Sequence, residues 1–216
     1  MKNYDDHNWD SYTSTYEAQL TKEVKGDANM DMIITDFSTE NGELVFNDNL
    51  HTNWKEIYHQ AYKLGVNSVF ECGCGCAHHL INIKKTNPDM VVNGCDYAKS
   101  QINLGYRDYN LADYDFHERL KVVDMSQPDA VDYLGQHEFV YTQAVVMHLA
   151  HVKAKRFLRN MNKLASKYIL MIEKPSSPYD HDWAVLIPEI FPEFTRLYDT
   201  KYRKDDGCIL LERTHG

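Results

Sequence analysis

The sequence lacks the features that would bring the protein to a membrane or to nucleic acid. Its apolar runs are much shorter than the roughly 20 residues of a membrane-spanning helix, and no run of Lys or Arg exceeds three residues. The 23 Lys and Arg are outnumbered by 32 Asp and Glu, which gives a net charge of −9. Because binding to a phosphate backbone needs a basic surface, we expect neither nucleic acid nor a membrane among its partners.

The chain also has little that suits export. Its first ten residues, MKNYDDHNWD, are polar and acidic, whereas a secretion signal carries basic residues followed by an apolar stretch. There are five cysteines, an odd number, and three of them stand at alternate positions, too close for an ordinary disulfide framework. Free thiols in a reducing compartment fit better, so we predict a cytoplasmic protein.

The stretch FECGCGCAHH, residues 70–79, allows two interpretations. Its cysteines and histidines are metal-ligand types, whereas its glycines suit a tight turn around a cofactor. Zinc-binding cysteines are usually separated by two to four residues, and side chains at alternate positions around a strand-to-helix turn point in different directions. The glycine turn explains the stretch better, and we predict no metal site.

From residue 51 onwards, helical and extended patterns alternate. A first helix, TNWKEIYHQAYKLG, has Gly65 where a C-terminal cap belongs. Five strands follow, each with a helix after it: VNSVFE, MVVNGCD, RLKVVD, HEFVYTQAV and KYILMIEK. Two last strands, EFTRLYDTKYR and CILLERT, are joined by the turn KDDG. The pattern predicts a three-layer α/β fold with a mainly parallel sheet of about seven strands, helices on both faces and a C-terminal antiparallel hairpin.

The first 50 residues are polar and rich in tyrosine. Trp9, Tyr12, Tyr16 and Leu20 stand at helical spacing. We predict that residues 1–50 form an N-terminal helical lid or cap on a main domain of residues 51–216. A length of 216 residues suits a single domain overall.

Three features together describe a groove for adenosine. Gly73 and Gly75 lie between the first strand and the next helix, where the absence of a Cβ lets the backbone approach a ligand. Asp96 ends the second strand, where a carboxylate accepts hydrogen bonds from ribose hydroxyls. Asp124 ends the third strand, in place to accept from the adenine amine, with the Met125 backbone beside it.

The cofactor that contains this adenosine is less closely defined. A dinucleotide fingerprint, G-x-G-x-x-G, has a third glycine where this chain has His78. The carboxylate of Glu71 would be unfavourable beside a pyrophosphate, but it suits a cationic amine or sulfonium. Two alternatives stay open: an NAD- or nucleotide-sugar-dependent enzyme that uses the same groove, and a non-catalytic adenosine- or metal-binding module.

The motifs resemble those of class I S-adenosylmethionine-dependent methyltransferases. FECGCGCA and GCDYAKSQI resemble the E-x-G-x-G motif and the acidic motif that follows it, and VVDMSQ, HEFVYTQAVVMHL and KLASKYILMIEK are similar to the next three motifs. WDSYTSTYE is similar to the N-terminal lid of members that act on small molecules. The resemblance covers roughly residues 51–213. It implies a Rossmann-like fold, S-adenosylmethionine as cofactor, and methyl transfer to an oxygen or nitrogen of a small-molecule acceptor.

Two departures from the family pattern are visible. Many members have Asp before the apolar run of the fourth strand, where this chain has Glu138. The Asn/Asp-Pro-Pro-Tyr motif of enzymes that methylate amino groups of nucleic acids is missing after that strand, which argues further against a nucleic-acid substrate.

The resemblance also implies a set of cofactor-binding residues. Glu71, Cys72, Gly73 and Gly75 would border the methionine part of the cofactor, and Gln143 would lie near it. Asp96 would hold the ribose, Tyr97 would pack on the adenine, and Asp124 with Met125 would contact its edge. Tyr16 would close over the cofactor as part of the lid. The alternative for the tyrosines is a helix that packs its aromatic face on the domain.

Catalysis and acceptor binding rest on residues after the fourth and fifth strands. His148 is our candidate for the base that takes a proton from the acceptor, and its alternative is capping or packing of the next helix. Glu173 is the second catalytic candidate, with a structural ion pair as its alternative. The acceptor would contact Tyr12, His79, His151 and His181. A metal pair of His148 and His151 with Glu173 is a minor alternative.

Overall fold

The computed structural model describes residues 33–34, 36–46, 50–109, 111–114, 116, 118–174 and 179–214. The strands are β1 (Phe37–Glu40), β2 (Glu43–Phe46), β3 (Ser68–Cys72), β4 (Val91–Asp96), β5 (Leu120–Val122), β6 (His137–Gln143), β7 (Ala165–Ile172), β8 (Phe194–Leu197) and β9 (Cys208–Arg213). The α-helices are α1 (Thr52–Lys63), α2 (His78–Thr86), α3 (Lys99–Asp108), α4 (His151–Leu164) and α5 (Trp183–Ile190). Short 3-10 turns occupy Leu111–Tyr114 and Val146–His148.

Seven of these strands form one sheet in the order β5-β4-β3-β6-β7-β9-β8. Neighbours from β5 to β7 are parallel, and β9 is antiparallel to both β7 and β8. The predicted α/β class, the seven-stranded sheet and the antiparallel closing hairpin are confirmed. The strand order reverses at β3, which has β4 on one side and β6 on the other, and such a switch point opens a crevice at the carboxyl ends of the strands.

The sheet is covered by helices on both faces, which gives the three predicted layers. On one face, α1 and α2 bury residues such as Ile57 and Leu80 in a first hydrophobic cluster. On the other face, α4 and α5 bury Leu158, Met161 and Ile190 in a second cluster. The central strands β3 and β6 are buried over most of their length, because helices pack on both faces of the sheet.

Three local predictions were incomplete or wrong. QPDAVDYLG, residues 127–135, was expected as a short helix, but turns take its place. The strand expected over 193–203 ends at Leu197, because the backbone N–H groups of Lys201, Tyr202 and Arg203 instead donate to Oε2 of buried Glu56 on α1.

The third difference is a small hairpin that precedes α1. β1 and β2 pair around Asn41 and Gly42, whose φ angles are 52° and 80°. Asn-Gly is the turn that such hairpins favour, so the signal was present in ENGE. Leu44 and Phe46 of this hairpin belong to the same hydrophobic cluster as α1. The predicted lid helix, with Tyr12 and Tyr16, lies outside the described residues.

Within the described residues, no helix combines the length and the apolar character that crossing a membrane requires.

Candidate functional site

A cavity of about 330 Å³ opens at the carboxyl ends of β3, β4, β5 and β6. Nine of the predicted site residues line it: Glu71, Gly73, Gly75, His79, Asp96, Tyr97, Asp124, Met125 and Gln143. Five others do not belong to its wall: Cys72, His148, His151, Glu173 and His181. The cavity therefore gathers residues from four strand ends that are far apart in the chain.

The turn after β3 depends on both of its glycines. Gly73 has a φ of 81°, and a Cβ there would lie 2.5 Å from a methyl group of Val145. The N–H groups of Gly73 and Cys74 donate to the Cys95 carbonyl oxygen at 2.8 and 2.9 Å, which ties the turn to β4. Gly75 has a φ of 53°, in the left-handed region that favours glycine, and a Cβ there would lie 3.8 Å from Oε1 of Gln101, an ordinary contact distance.

The carboxyl of Glu71 is buried in the wall of this cavity. It is only 2% exposed. Burial raises the pKa of Glu71 well above its usual value, the neighbouring Tyr141 hydroxyl opposes the shift, and the negative charge of Asp96 adds to it. Because a buried carboxylate is costly, a ligand group with a positive charge would be favoured beside Glu71.

Asp96 and Asp124 are held in place by backbone and side-chain donors. Asp96 accepts from the N–H groups of Gly75 at 2.8 Å and Ala98 at 2.7 Å, one at each carboxylate oxygen. Asp124 accepts from the Ser126 N–H, the Ser126 hydroxyl and the Gln127 amide. Burial alone would raise the pKa of Asp124, but these hydrogen bonds hold it below the usual value, so the group is a charged acceptor.

The cysteines of the glycine turn diverge. Cys72 packs into the second hydrophobic cluster and Cys74 into the first, on the opposite face of the sheet. Cys76 lies 3.5 Å from Nδ1 of His78. Among the described residues no three His, Cys, Asp or Glu side chains are grouped so that they could hold a metal ion. The side chain of Cys72 lies in the core, so only its backbone borders the turn.

Glu173 holds the turn that follows β6. It is 3% exposed, and its carboxylate accepts from the backbone N–H groups of Val145 at 3.2 Å and Met147 at 3.0 Å. Burial raises the pKa of Glu173 to about 7, although these backbone donors oppose the shift. No ion pair of Glu173 occurs among the described salt bridges. His148 is half-buried in the turn that Glu173 supports, between the lining residues Val145 and Leu149.

His151 and His181 form a pair beside this turn. Their Nδ1 atoms are 3.2 Å apart, and Nε2 of His181 lies 3.1 Å from the carbonyl oxygen of Val146. That oxygen only accepts, so His181 donates from Nε2 and its Nδ1 accepts from His151. Burial lowers the pKa of His181, which keeps it neutral. The pair anchors the loop before α5 to the start of α4.

No protein-family model and no curated protein matches the sequence. Solved structures, in contrast, do share its fold. The methyltransferase domain of bacterial CtHen1-CN matches with a TM-score of 0.56 at 12% identity, over 76% of this chain and 98% of that one. Magnesium protoporphyrin IX methyltransferase (ChlM) from Synechocystis PCC 6803 with bound SAH matches with a TM-score of 0.55 at 16% identity, over 76% and 84%. The S-adenosylmethionine-dependent methyltransferase SibL, in its apo form, gives a TM-score of 0.54 at 13% identity, over 75% and 55%.

The chain has the fold of S-adenosylmethionine-dependent methyltransferases. The resemblance drawn from the motifs is thereby confirmed at the level of fold. Sequence identities of 12 to 16% show a shared fold and do not show a shared function. The conclusion about function therefore depends on the residues of the cavity.

The sequence did not predict several residues that shape the cavity of this methyltransferase fold. Gln101, Lys153 and Phe157 line it from α3 and α4. Buried Asn160 on α4 donates to the carbonyl oxygens of Met125 and Gln127 at 2.9 and 2.8 Å, and so fixes the loop after β5. All of them stand on helices that the sequence did predict, but local spacing does not tell which helical face reaches the cavity.

Proposed function

We propose that the protein is an S-adenosylmethionine-dependent methyltransferase that acts on an oxygen or nitrogen of a small molecule. The observation that carries this proposal is the buried carboxyl of Glu71 in the wall of a cavity that also presents Asp96 and Asp124. A buried acid suits a cationic ligand group, and two further acids suit hydroxyl and amine donors. S-adenosylmethionine carries all of these groups.

Each part of the cofactor would have its own set of residues. Glu71, with the backbone of Cys72, Gly73 and Gly75, would border the methionine part, and Gln143 would lie beside it. Asp96 would accept from the ribose hydroxyls, because it ends β4 at the cavity and two backbone N–H groups hold its carboxylate in place. Tyr97, which is 57% exposed, would cover the adenine, and Asp124 with Met125 would contact the adenine edge.

When bound, the cofactor supplies a methyl group made electrophilic by a positively charged sulfur. The protein has to bring the acceptor into line and exclude water. We propose His148 as the base that takes the acceptor proton, since it sits on the turn between two lining residues. Glu173 then acts as a positioning residue, because it holds the backbone of that turn.

The acceptor-binding side is proposed from the tyrosine and histidines that the sequence pattern suggests for it. Tyr12, His79, His151 and His181 are the candidates, and among these His79 lines the cavity. A volume of about 330 Å³ lies at the small end of the range for small-molecule sites. The net charge of −9 supports an acceptor other than nucleic acid.

We also propose a single domain, with residues 1–50 as a cap on residues 51–216. The shared hydrophobic cluster of β2 and α1 supports this arrangement, because Leu44 and Phe46 are buried against the same core as Ile57.

Ligand binding is the first test. Calorimetry with the full chain should detect S-adenosylmethionine and S-adenosylhomocysteine but not NAD. Asp96→Asn should weaken both by roughly tenfold, as expected for loss of a charged acceptor. Asp89→Asn, on an exposed loop, is the matched control and should leave both affinities unchanged. Binding of NAD alone would favour the dinucleotide alternative.

Methyl transfer is the second test. Purified protein with a methyl-labelled donor should transfer label to a compound in a pool of small metabolites, and the product can be identified by mass spectrometry. A protein that binds the donor but labels nothing would be a binding module. Stoichiometric zinc with no affinity for either adenosine ligand would point to the metal-binding alternative.

A further inference from the structure

A chain of buried hydrogen bonds runs from the backbone of Ile34 to the cavity. It begins where the Ile34 N–H donates to Oδ1 of Asn82 at 2.9 Å. A backbone N–H can only donate, so the atom of Asn82 that faces it must be the oxygen. Lys85 holds the same backbone from the other side, because its Nζ donates to the Ile34 carbonyl oxygen at 3.1 Å.

This first bond sets the direction of the next two. With its oxygen towards Ile34, Asn82 donates from Nδ2 to the Tyr58 hydroxyl oxygen at 2.7 Å. The Tyr58 hydroxyl must then donate its own proton onwards, and Nδ1 of His79 is 2.7 Å away. All three side chains are buried, Tyr58 and Asn82 completely. If His79 instead donated from Nδ1, the Tyr58 hydroxyl would accept from both neighbours and its own proton would have no acceptor among the described residues, which is costly.

The direction of the chain determines the tautomer of His79. Its Nδ1 accepts from Tyr58, so a neutral ring carries its proton on Nε2, and this proton points to Oε1 of Gln143 at 2.9 Å. Burial lowers the pKa of His79 to about 4, so the ring is neutral over the physiological range. Both ring nitrogens are occupied, which leaves His79 unable to take a proton from a substrate.

Gln143 ends the chain at the cavity wall. Its Oε1 accepts from His79, and its Nε2 makes no hydrogen bond within the described part of the chain, so both Nε2 protons are available to a ligand. The strand that carries Gln143 lies next to the strand that carries Glu71, since Glu71 pairs with Tyr141 two residues earlier. The wall therefore presents an acid on one strand end and an amide donor on its neighbour.

We propose that Asn82, Tyr58 and His79 are positioning residues that fix the Gln143 amide with its two N–H donors towards the cavity, where they bind a ligand carboxylate. The carboxylate is that of the amino-acid part of the cofactor, with the adjacent ammonium group facing Glu71. The identity of the carboxylate rests on the proposed function, whereas the direction of the chain rests on the contacts alone.

The direction can be tested without any ligand. Nitrogen–proton correlation spectra of histidine side chains, with His79 assigned through His79→Gln, should show the Nε2–H tautomer, unchanged from about pH 8 to about pH 5.5. Tyr58→Phe should shift the Nδ1 resonance of His79 and the Gln143 side-chain amide resonance. A proton on Nδ1 of His79, or protonation near its ordinary pKa, would overturn the proposal even if the Tyr58 variant failed to fold.

The consequence for binding needs a double-mutant cycle. Gln143→Met should weaken S-adenosylhomocysteine by roughly tenfold, as for the loss of a hydrogen bond to a charged group. It should leave 5′-methylthioadenosine, which has no carboxylate, unchanged. Tyr58→Phe should weaken S-adenosylhomocysteine by about threefold alone, and by no further factor in the Gln143→Met background, because it acts through Gln143.

Tyr202→Phe is the matched control. Its ring packs on Phe46 at 6.1 Å, as that of Tyr58 does at 6.0 Å, but its hydroxyl bonds to the Leu44 carbonyl oxygen outside the chain. It should leave the His79 spectrum and both affinities unchanged. Additive effects of the Tyr58 and Gln143 changes, or an equal loss for both ligands, would overturn the proposal. Failure of the unaltered protein to bind S-adenosylhomocysteine would instead count against the proposed function.

Discussion

A β-carbon on Gly105 would lie 2.3 Å from the carbonyl oxygen of Cys76, far inside contact distance. α3 thus packs directly against the backbone of the glycine turn, and the absence of a side chain at Gly105 permits this approach. The turn and α3 both contribute residues to the cavity wall. Their spacing therefore sets the shape of the proposed cofactor site.

Gly105→Ala should destabilise the protein and weaken cofactor binding together. Alanine favours a helix over glycine by about 1 kcal/mol, but overpacking against a fixed backbone costs about 1–3 kcal/mol. We expect a net loss in the free energy of unfolding and a lower affinity for S-adenosylhomocysteine. Asn103→Ala, at an exposed position of α3, should do neither. Equal stability of the Gly105 variant would mean that α3 can move aside without cost.

Glu71 should lose a proton when the cofactor binds. Burial raises the pKa of Glu71 and so favours its protonated form, whereas a neighbouring cation favours the charged form. Calorimetry of S-adenosylmethionine in buffers of different ionisation enthalpy measures the proton release. Glu71→Gln should abolish it, and Glu193→Gln, on an exposed carboxylate paired with Arg213, should not. Release that persists without the Glu71 carboxyl would assign the proton to another group.

His148→Ala should reduce turnover far more than it reduces cofactor affinity. General base catalysis contributes about 10²- to 10⁴-fold, so a fall of at least about 100-fold in kcat is expected. Val152→Ala, at a position 64% exposed on α4, is the control. Full activity of the His148 variant would remove it as the base.

Glu173 should make stability fall as the pH rises from about 4.5 to about 7. Its pKa is raised on folding, so the folded state binds the proton more tightly than the unfolded state. The contribution is therefore fully present below the unfolded pKa and is lost as the pH passes the folded one. A shift of this size corresponds to something on the order of 3 kcal/mol.

Denaturant unfolding at several pH values can isolate this effect. The unaltered protein should lose stability relative to Glu173→Gln between about pH 4.5 and about pH 7. Glu138→Gln is the matched control: a hydrogen bond from Lys167 lowers the pKa of Glu138, so its contribution changes with pH in the opposite direction. Parallel pH profiles for the protein and Glu173→Gln would show that this carboxyl titrates normally.

The sheet and the cofactor end of the site could be predicted from sequence because their signals are local. An apolar run, a glycine turn and a helix follow one another in residues 68–86, and Asp96 and Asp124 directly end their strands. In a parallel sheet such strand ends meet at one edge, so chain order is enough to bring them together. The shortened β8 was missed because Glu56 on α1 captures the backbone that follows it.

The sequence by itself therefore determined the class of fold, the edge of the sheet where the cavity opens, and the acids Asp96 and Asp124 in its wall, since each depends on periodicity or on a residue next to a strand end. Only the tertiary structure decided that His79 positions Gln143, that Glu173 holds a turn, and that α3 needs Gly105. Those roles arise from contacts between groups 21 to 64 residues apart. Hydrogen-bond direction and close packing depend on distances in the folded core, which local patterns of residues do not encode.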